Sequence, residues 1–186
     1  MQYDDSDMKI ASDDFKKTQQ IVDDTEQMAN LLKREKSNGN LARARRLGAV
    51  MAEDVASIEG ENPACDTAHM TQRRILLAFA VEIGLNTVLP NKLLSETAQS
   101  IFYDTLRTTA STFYDDLQKS GAFSFYYLCV REAEEVEKCV GETFATLCGC
   151  PGDKKIAKMG TDLFTHFINQ VHTFAKTMGF VTQPEE

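Results

Sequence analysis

Residues 160–179 have the sequence GTDLFTHFINQVHTFAKTMG, in which apolar residues recur every three or four positions. That spacing places them along one face of an α-helix and leaves the polar residues on the other. Asp153 suits the start of this helix as its N-cap, and Gly179 suits its end. The stretch therefore predicts an amphipathic helix whose buried face consists of Gly160, Phe164, Phe167, Val171, Phe174 and Met178.

The same spacing recurs through the rest of the chain, which turn-forming residues divide into six stretches. No stretch alternates apolar and polar residues in the two-residue period of a strand. The predicted helices span about 9–36, 40–58, 63–88, 91–119, 122–148 and 153–178. Short connections favour antiparallel neighbours. We therefore expect an all-α, antiparallel bundle of five or six helices without a β-sheet.

Aromatic residues are unevenly distributed along the 186 residues. Fourteen of the sixteen Phe and Tyr residues lie between Phe79 and Phe180. We expect a single helical domain over 1–186, in which 61–180 form the aromatic-rich core, 1–60 form a charged hairpin that could act as a docking arm, and 181–186 are a frayed tail. The residues expected to build the core are Phe79, Phe102, Phe113, Phe144, Phe164, Phe167 and Phe174, with Phe125 on the inner face of the fifth helix.

Charge, apolar run length and cysteine content limit the ligands and the cellular compartment that the sequence predicts. The net charge of −8 argues against general nucleic-acid binding. The longest apolar run, Ile75–Val81, is too short to cross a hydrocarbon core of about 30 Å. Five cysteines without the spacing of a disulfide framework fit a reducing compartment. These features predict an acidic, cytoplasmic protein that does not enter the membrane.

The charges form blocks of alternating sign in the aromatic-poor part of the chain. Residues 1–30 carry an excess of five acids, 31–48 an excess of five bases and 49–72 again five acids. The basic block is a candidate site for an anion or an acidic partner. The alternative is that its cations pair with flanking acids such as Asp23, Asp24, Glu53 and Asp54. The candidate residues are Lys33, Arg34, Lys36, Arg43, Arg45 and Arg46.

Glu82 interrupts the most apolar segment, between Val81 and Ile83. A buried carboxylate is costly unless it is paired or protonated, and such groups often mark functional pockets. Glu82 is therefore a candidate for a ligand pocket. Alternatively, it occupies the one solvent-facing position of its helix or pairs with Arg107.

Cys148 and Cys150 flank Gly149 at a predicted helix end and are candidates for a thiol or zinc site. Cys65 and His69 are four residues apart and share a helix face, so a zinc site of these four residues requires two helix ends to meet. The alternative is that the cysteines are small, partly buried apolar residues. On a continuous fifth helix, Cys129 and Cys139 lie almost three turns apart and do not meet.

No phosphate-binding loop, metalloprotease or hydrolase motif occurs in the sequence. The sequence therefore favours a role other than catalysis, with no required cofactor. We expect an interaction module that binds a protein partner or itself. The alternatives are a sensor or carrier of a small molecule with a pocket near Glu82, and a metal or thiol protein using Cys148 and Cys150.

Overall fold

The computed structural model describes residues 25–58 and 67–182. Over these residues the protein is all-α, with eight helices and no strand. The first, α1, occupies residues 25–37. The others are α2 (Asn40–Ser57), α3 (Thr67–Val88), α4 (Lys92–Thr109), α5 (Ser111–Ser120), α6 (Ala122–Glu132), α7 (Val136–Leu147) and α8 (Lys154–Met178).

The chain divides into two compact units, residues 1–40 and 41–186. In the first unit, α1 ends in a turn at Gly39, whose φ of 74° lies in the left-handed region that glycine favours. The second unit contains α2 to α8. Helix α2, expected to belong to the charged hairpin, buries six residues in the core of this second unit: Leu41, Ala44, Leu47, Met51, Ala52 and Val55.

Two of the helices predicted as continuous are broken, so the expected number of five or six is not confirmed. The helix predicted over 91–119 ends at Thr109 and restarts at Ser111. Ahead of this break, the hydroxyls of Thr108 and Thr109 donate to backbone carbonyls one turn earlier, a pattern that competes with regular helix geometry. The helix predicted over 122–148 is broken at Ala133, whose backbone is extended.

The core is built around α3, whose residues Ile75–Val81 are all buried. Phe79 stacks on Phe164 of α8 at 6.0 Å between ring centroids. Further along both helices, Gly84 of α3 lies against Val171 of α8. The residue numbers of the contacting pairs increase in the same direction along both helices, so α3 and α8 run parallel. The bundle is therefore not uniformly antiparallel.

Most of the predicted core is confirmed. Six of the seven expected phenylalanines are buried, and Phe174 is half-buried. The placement of Phe125 on the inner face is wrong, because its side chain is 54% exposed while the neighbouring Tyr126 is fully buried. None of the described helices is both long and apolar enough to cross a bilayer.

Candidate functional site

Glu82 lies where α3, α4 and α6 meet. The Tyr103 hydroxyl of α4 donates to Glu82 Oε2, and the Tyr127 hydroxyl of α6 donates to Oε1. Gln99 Nε2 of α4 donates to the Glu82 backbone carbonyl at 3.4 Å. Both carboxylate oxygens are therefore engaged, and one acid connects three helices.

Aromatic rings surround this acceptor. Phe79, one turn before Glu82, packs edge-on against Tyr127 with ring centroids 5.2 Å apart and against Phe123 at 5.3 Å. Burial raises the pKa of Tyr103 far above its ordinary value, and the charge of Glu82 raises it further. Burial and the hydrogen bond to Glu82 raise the pKa of Tyr127 in the same direction. Both phenols therefore stay protonated and act as donors at neutral pH.

Neither alternative expected for Glu82 matches this arrangement. The side chain is half-buried, and Arg107 pairs instead with Asp104 at 3.0 Å. Within the described part of the chain, no ion pair reaches Glu82. The hydrogen bonds to both carboxylate oxygens favour an internal anchor at Glu82, and a pocket there stays a prediction.

The basic candidates fall on both sides of the boundary between the units. In the first unit, Lys33, Arg34 and Lys36 are exposed at the end of α1. Arg34 pairs with the buried Glu35 at 3.0 Å, and Asn40 Nδ2 donates to the other Glu35 oxygen at 2.6 Å.

In the second unit, Arg43 and Arg46 line a groove between α2 and the end of α8. Arg45 lies beside a different groove, between α2 and α4. Asp54, one of the acids expected to pair with these arginines, accepts from Gln170 Nε2 of α8 at 2.8 Å. Asp23 and Asp24 lie outside the described residues.

The two helix ends that a zinc site would require to meet do lie close together. His69 Nε2 of α3 lies 3.1 Å from the Cys148 carbonyl oxygen and 3.9 Å from Cys150 Sγ, both just after α7. Burial raises the pKa of the Cys148 thiol to about 11, and the charge of the nearby Cys150 makes a smaller contribution in the same direction. The raised pKa disfavours the thiolate, which is the form that binds zinc. Cys65 lies outside the described residues.

No group of three His, Cys, Asp or Glu residues in the described ranges is arranged to hold a metal ion. These residues thus form a polar contact between helix ends, and the zinc prediction gains no ligand set from them.

Cys129 of α6 and Cys139 of α7 form a disulfide, with their Cα atoms 5.5 Å apart. The expectation that these cysteines do not meet is wrong, because the chain turns between α6 and α7. Disulfides are typical of oxidising compartments. The cytoplasmic location stays a prediction, and this bond argues against it.

Sequence reasoning missed two exposed apolar pairs. On α6, Phe125 is 54% and Leu128 is 44% exposed. On α1, Met28 is 56% and Leu32 is 46% exposed. The spacing of three or four residues within each pair was visible in the sequence, but which side of each helix faces solvent depends on packing.

Comparison of the chain with models of known protein families, with curated proteins and with solved structures finds no match.

Proposed function

We propose that the protein is a protein-binding module that associates with a second copy of itself, α1 of one copy packing on α6 of the other. One observation carries the proposal. Each of these helices presents an exposed apolar pair that is followed, on the same face, by an exposed charge, and the two charges have opposite signs.

The α6 face consists of Phe125, Leu128 and Glu132. Their spacing of three and then four residues aligns them along one side of the helix, over a length of about 10 Å. Helix α6 ends at Glu132, and the turn and the first residues of α7 that follow it add exposed acids. The apolar pair therefore leads into an acidic strip, consisting of Glu132, Glu134, Glu135 and Glu137.

The α1 face consists of Met28, Leu32 and Lys36. Their regular spacing of four residues also aligns them on one side, over a length of about 12 Å. Exposed Lys33 and Arg34 flank Lys36, so this apolar pair leads into a basic end.

The two faces match when the helices run in the same direction. Met28 then lies opposite Phe125, Leu32 opposite Leu128, and the basic end opposite the acidic strip. Complementary charges of this kind speed encounter and fix the orientation of the partner. One pair of short helices buries much less than the roughly 1,200–2,000 Å² of a stable interface. The association is therefore expected to be weak and to depend on concentration and salt.

Sedimentation velocity over a range of concentrations, at low and high salt, tests the proposal on the full chain. We expect a reversible shift from monomer to a larger species that high salt weakens. Lys36→Glu and Glu132→Lys should each reduce it, and the double variant should restore it because the charges are exchanged. Restoration separates a direct contact from a general effect of net charge.

Met159→Ser is the matched control, because Met159 is an exposed apolar residue on α8 that belongs to neither face. It should associate like the parent chain, whereas Leu128→Ser should not. A chain that stays monomeric at every concentration, or a double variant no better than the singles, would overturn the proposal.

A further inference from the structure

The groove between α2 and the C-terminal end of α8 has a volume of about 450 Å³, within the usual range of small-molecule sites. From α2 it is lined by Arg43, Arg46 and Val50, and from α8 by Phe174, Thr177 and Met178. All six residues belong to the unit 41–186, so the groove lies within one compact body.

Helical spacing explains why these residues face one another. On α2, Arg43, Arg46 and Val50 are separated by three and four residues and share one side. On α8, the spacing of Phe174, Thr177 and Met178 has the same effect. A hydrogen bond of 2.8 Å between Gln170 and Asp54 joins the two helices beyond the groove.

The lining combines two kinds of chemistry. Val50, Phe174 and Met178 are half-buried and form an apolar wall, while Arg43 is half-buried and Arg46 exposed. Among the residues that the structure describes, no acid lines the groove. Two guanidinium groups over an apolar wall fit a ligand with an anionic head and a hydrocarbon tail.

A ligand explains Arg46 better than a structural role does. Arg43 lies in the first turn of α2, where the helix dipole disfavours cations, and Arg46 lies one turn further along. Arg46 enters no ion pair with any described residue. An anionic headgroup offers guanidinium groups the bidentate hydrogen bonds that carboxylates and phosphates form with arginine.

We propose that this groove binds an amphiphile with a carboxylate or phosphate head, the head on Arg43 and Arg46 and an unbranched alkyl chain along Val50, Phe174 and Met178. This site is independent of the self-association proposed above.

Titration calorimetry on the full chain tests the site with probes of one tail length, each kept below its micelle-forming concentration: dodecanoate, dodecyl phosphate and dodecyltrimethylammonium. Both anions should bind and the cation should not, and the tighter anion identifies the headgroup. Shortening dodecanoate to decanoate should weaken binding by up to about fifteen-fold, because each buried methylene contributes up to about fourfold. Inorganic phosphate alone should bind far more weakly than dodecyl phosphate.

Arg46→Gln should reduce the affinity for the tighter anion at least about tenfold, the effect expected for one lost charged hydrogen bond. Arg45→Gln is the matched control, because it removes the same charge from the same helix outside this groove, and it should bind like the parent chain. Met178→Gln should reduce the dependence on tail length. The proposal would be overturned if no probe binds or if the cation binds as well as the anions. Equal losses for Arg45→Gln and Arg46→Gln would also overturn it.

Discussion

Cys129 at the end of α6 is covalently bonded to Cys139 near the start of α7, across the turn that separates the two helices. The bond closes a loop with a sequence separation of only 10 residues. It therefore holds together the segment in which a single continuous helix was expected.

Removing this disulfide should destabilise the protein. A loop of this length predicts a loss of about 2–3 kcal/mol in the free energy of unfolding, because the bond restricts the unfolded chain. Urea unfolding of a Cys129→Ser/Cys139→Ser double variant measures the loss. The parent chain should lose a similar amount on adding a reductant, and the double variant should be insensitive to it.

Cys148→Ser is the control for this effect, because Cys148 is a free thiol, and it should keep the sensitivity of the parent chain to reductant. Mass spectrometry of the non-reduced protein should recover the linked Cys129–Cys139 peptides. Their absence from protein purified without reductant would contradict the assignment.

The hydrogen bonds to Glu82 should contribute measurably to stability. Glu82→Gln replaces a charged acceptor of two phenols with a neutral one, and we expect it to cost about 1–3 kcal/mol. A double-mutant cycle of Glu82→Gln with Tyr103→Phe should give a coupling energy of about 1 kcal/mol, since each substitution removes part of the same contact.

The exposed Glu96 of α4 supplies the control for Glu82. It pairs with Lys92 on its own helix, and Glu96→Gln should change stability by less than about 0.5 kcal/mol. Additive effects of Glu82→Gln and Tyr103→Phe would contradict the contact.

Alkaline pH should unfold the protein as the phenols that pack against the bundle ionise. Burial raises the pKa of Tyr103, Tyr126 and Tyr127 above the ordinary value of 10.0. The folded state therefore binds these protons more tightly than the unfolded chain. Their contribution to stability is complete below pH 10 and decreases as the pH rises above it.

Tyrosinate absorbance and circular dichroism, followed together during an alkaline titration, check this prediction. The tyrosines that ionise last in the titration should do so at the same pH at which the helical signal is lost. A Tyr103→Phe/Tyr127→Phe variant should show a shallower fall of stability above pH 10. Complete ionisation of all five tyrosines while the helices remain intact would show that burial does not raise these pKa values.

Gly160 permits the close packing of α8 on α7. A Cβ atom at this position would lie 2.8 Å from the Cβ atom of Phe144, which is too close for either helix to keep its place. We expect Gly160→Ala to cost about 1–3 kcal/mol despite the better helix propensity of alanine. Thermal unfolding measures the effect, with the exposed Asn169→Ala on the same helix as the control. A Gly160→Ala variant as stable as the parent chain would contradict the close approach.

The sequence predicts the all-α class and α8 because periodicity is a local property. Phe164, Phe167 and Val171 recur at helical spacing and are buried in the structure. The break between α6 and α7 is different, because nothing local separates a helix of 27 residues from two shorter ones. On a continuous helix Cys129 and Cys139 would be far apart, so only tertiary structure reveals their bond.

In the candidate site, too, local features are predictable from the sequence and tertiary contacts are not. Glu82 is conspicuous as an acid inside an apolar run, and the shared face of Arg43 and Arg46 follows from their spacing. Tyr103 and Tyr127 are not predictable as partners of Glu82, because they come from helices whose rotation is set by packing. The α8 wall of the groove could not be anticipated for the same reason.

The hydrogen bond from Tyr127 to Glu82 determines which side chains α6 exposes on its outer surface. Tyr127 is tied to α3 and Tyr126 is buried, so Phe125 and Leu128 must point away from the bundle. An acid on one helix thus selects which residues another helix presents to solvent. A genetic screen for altered self-association should therefore recover substitutions at position 82, although Glu82 belongs to neither of the two proposed faces.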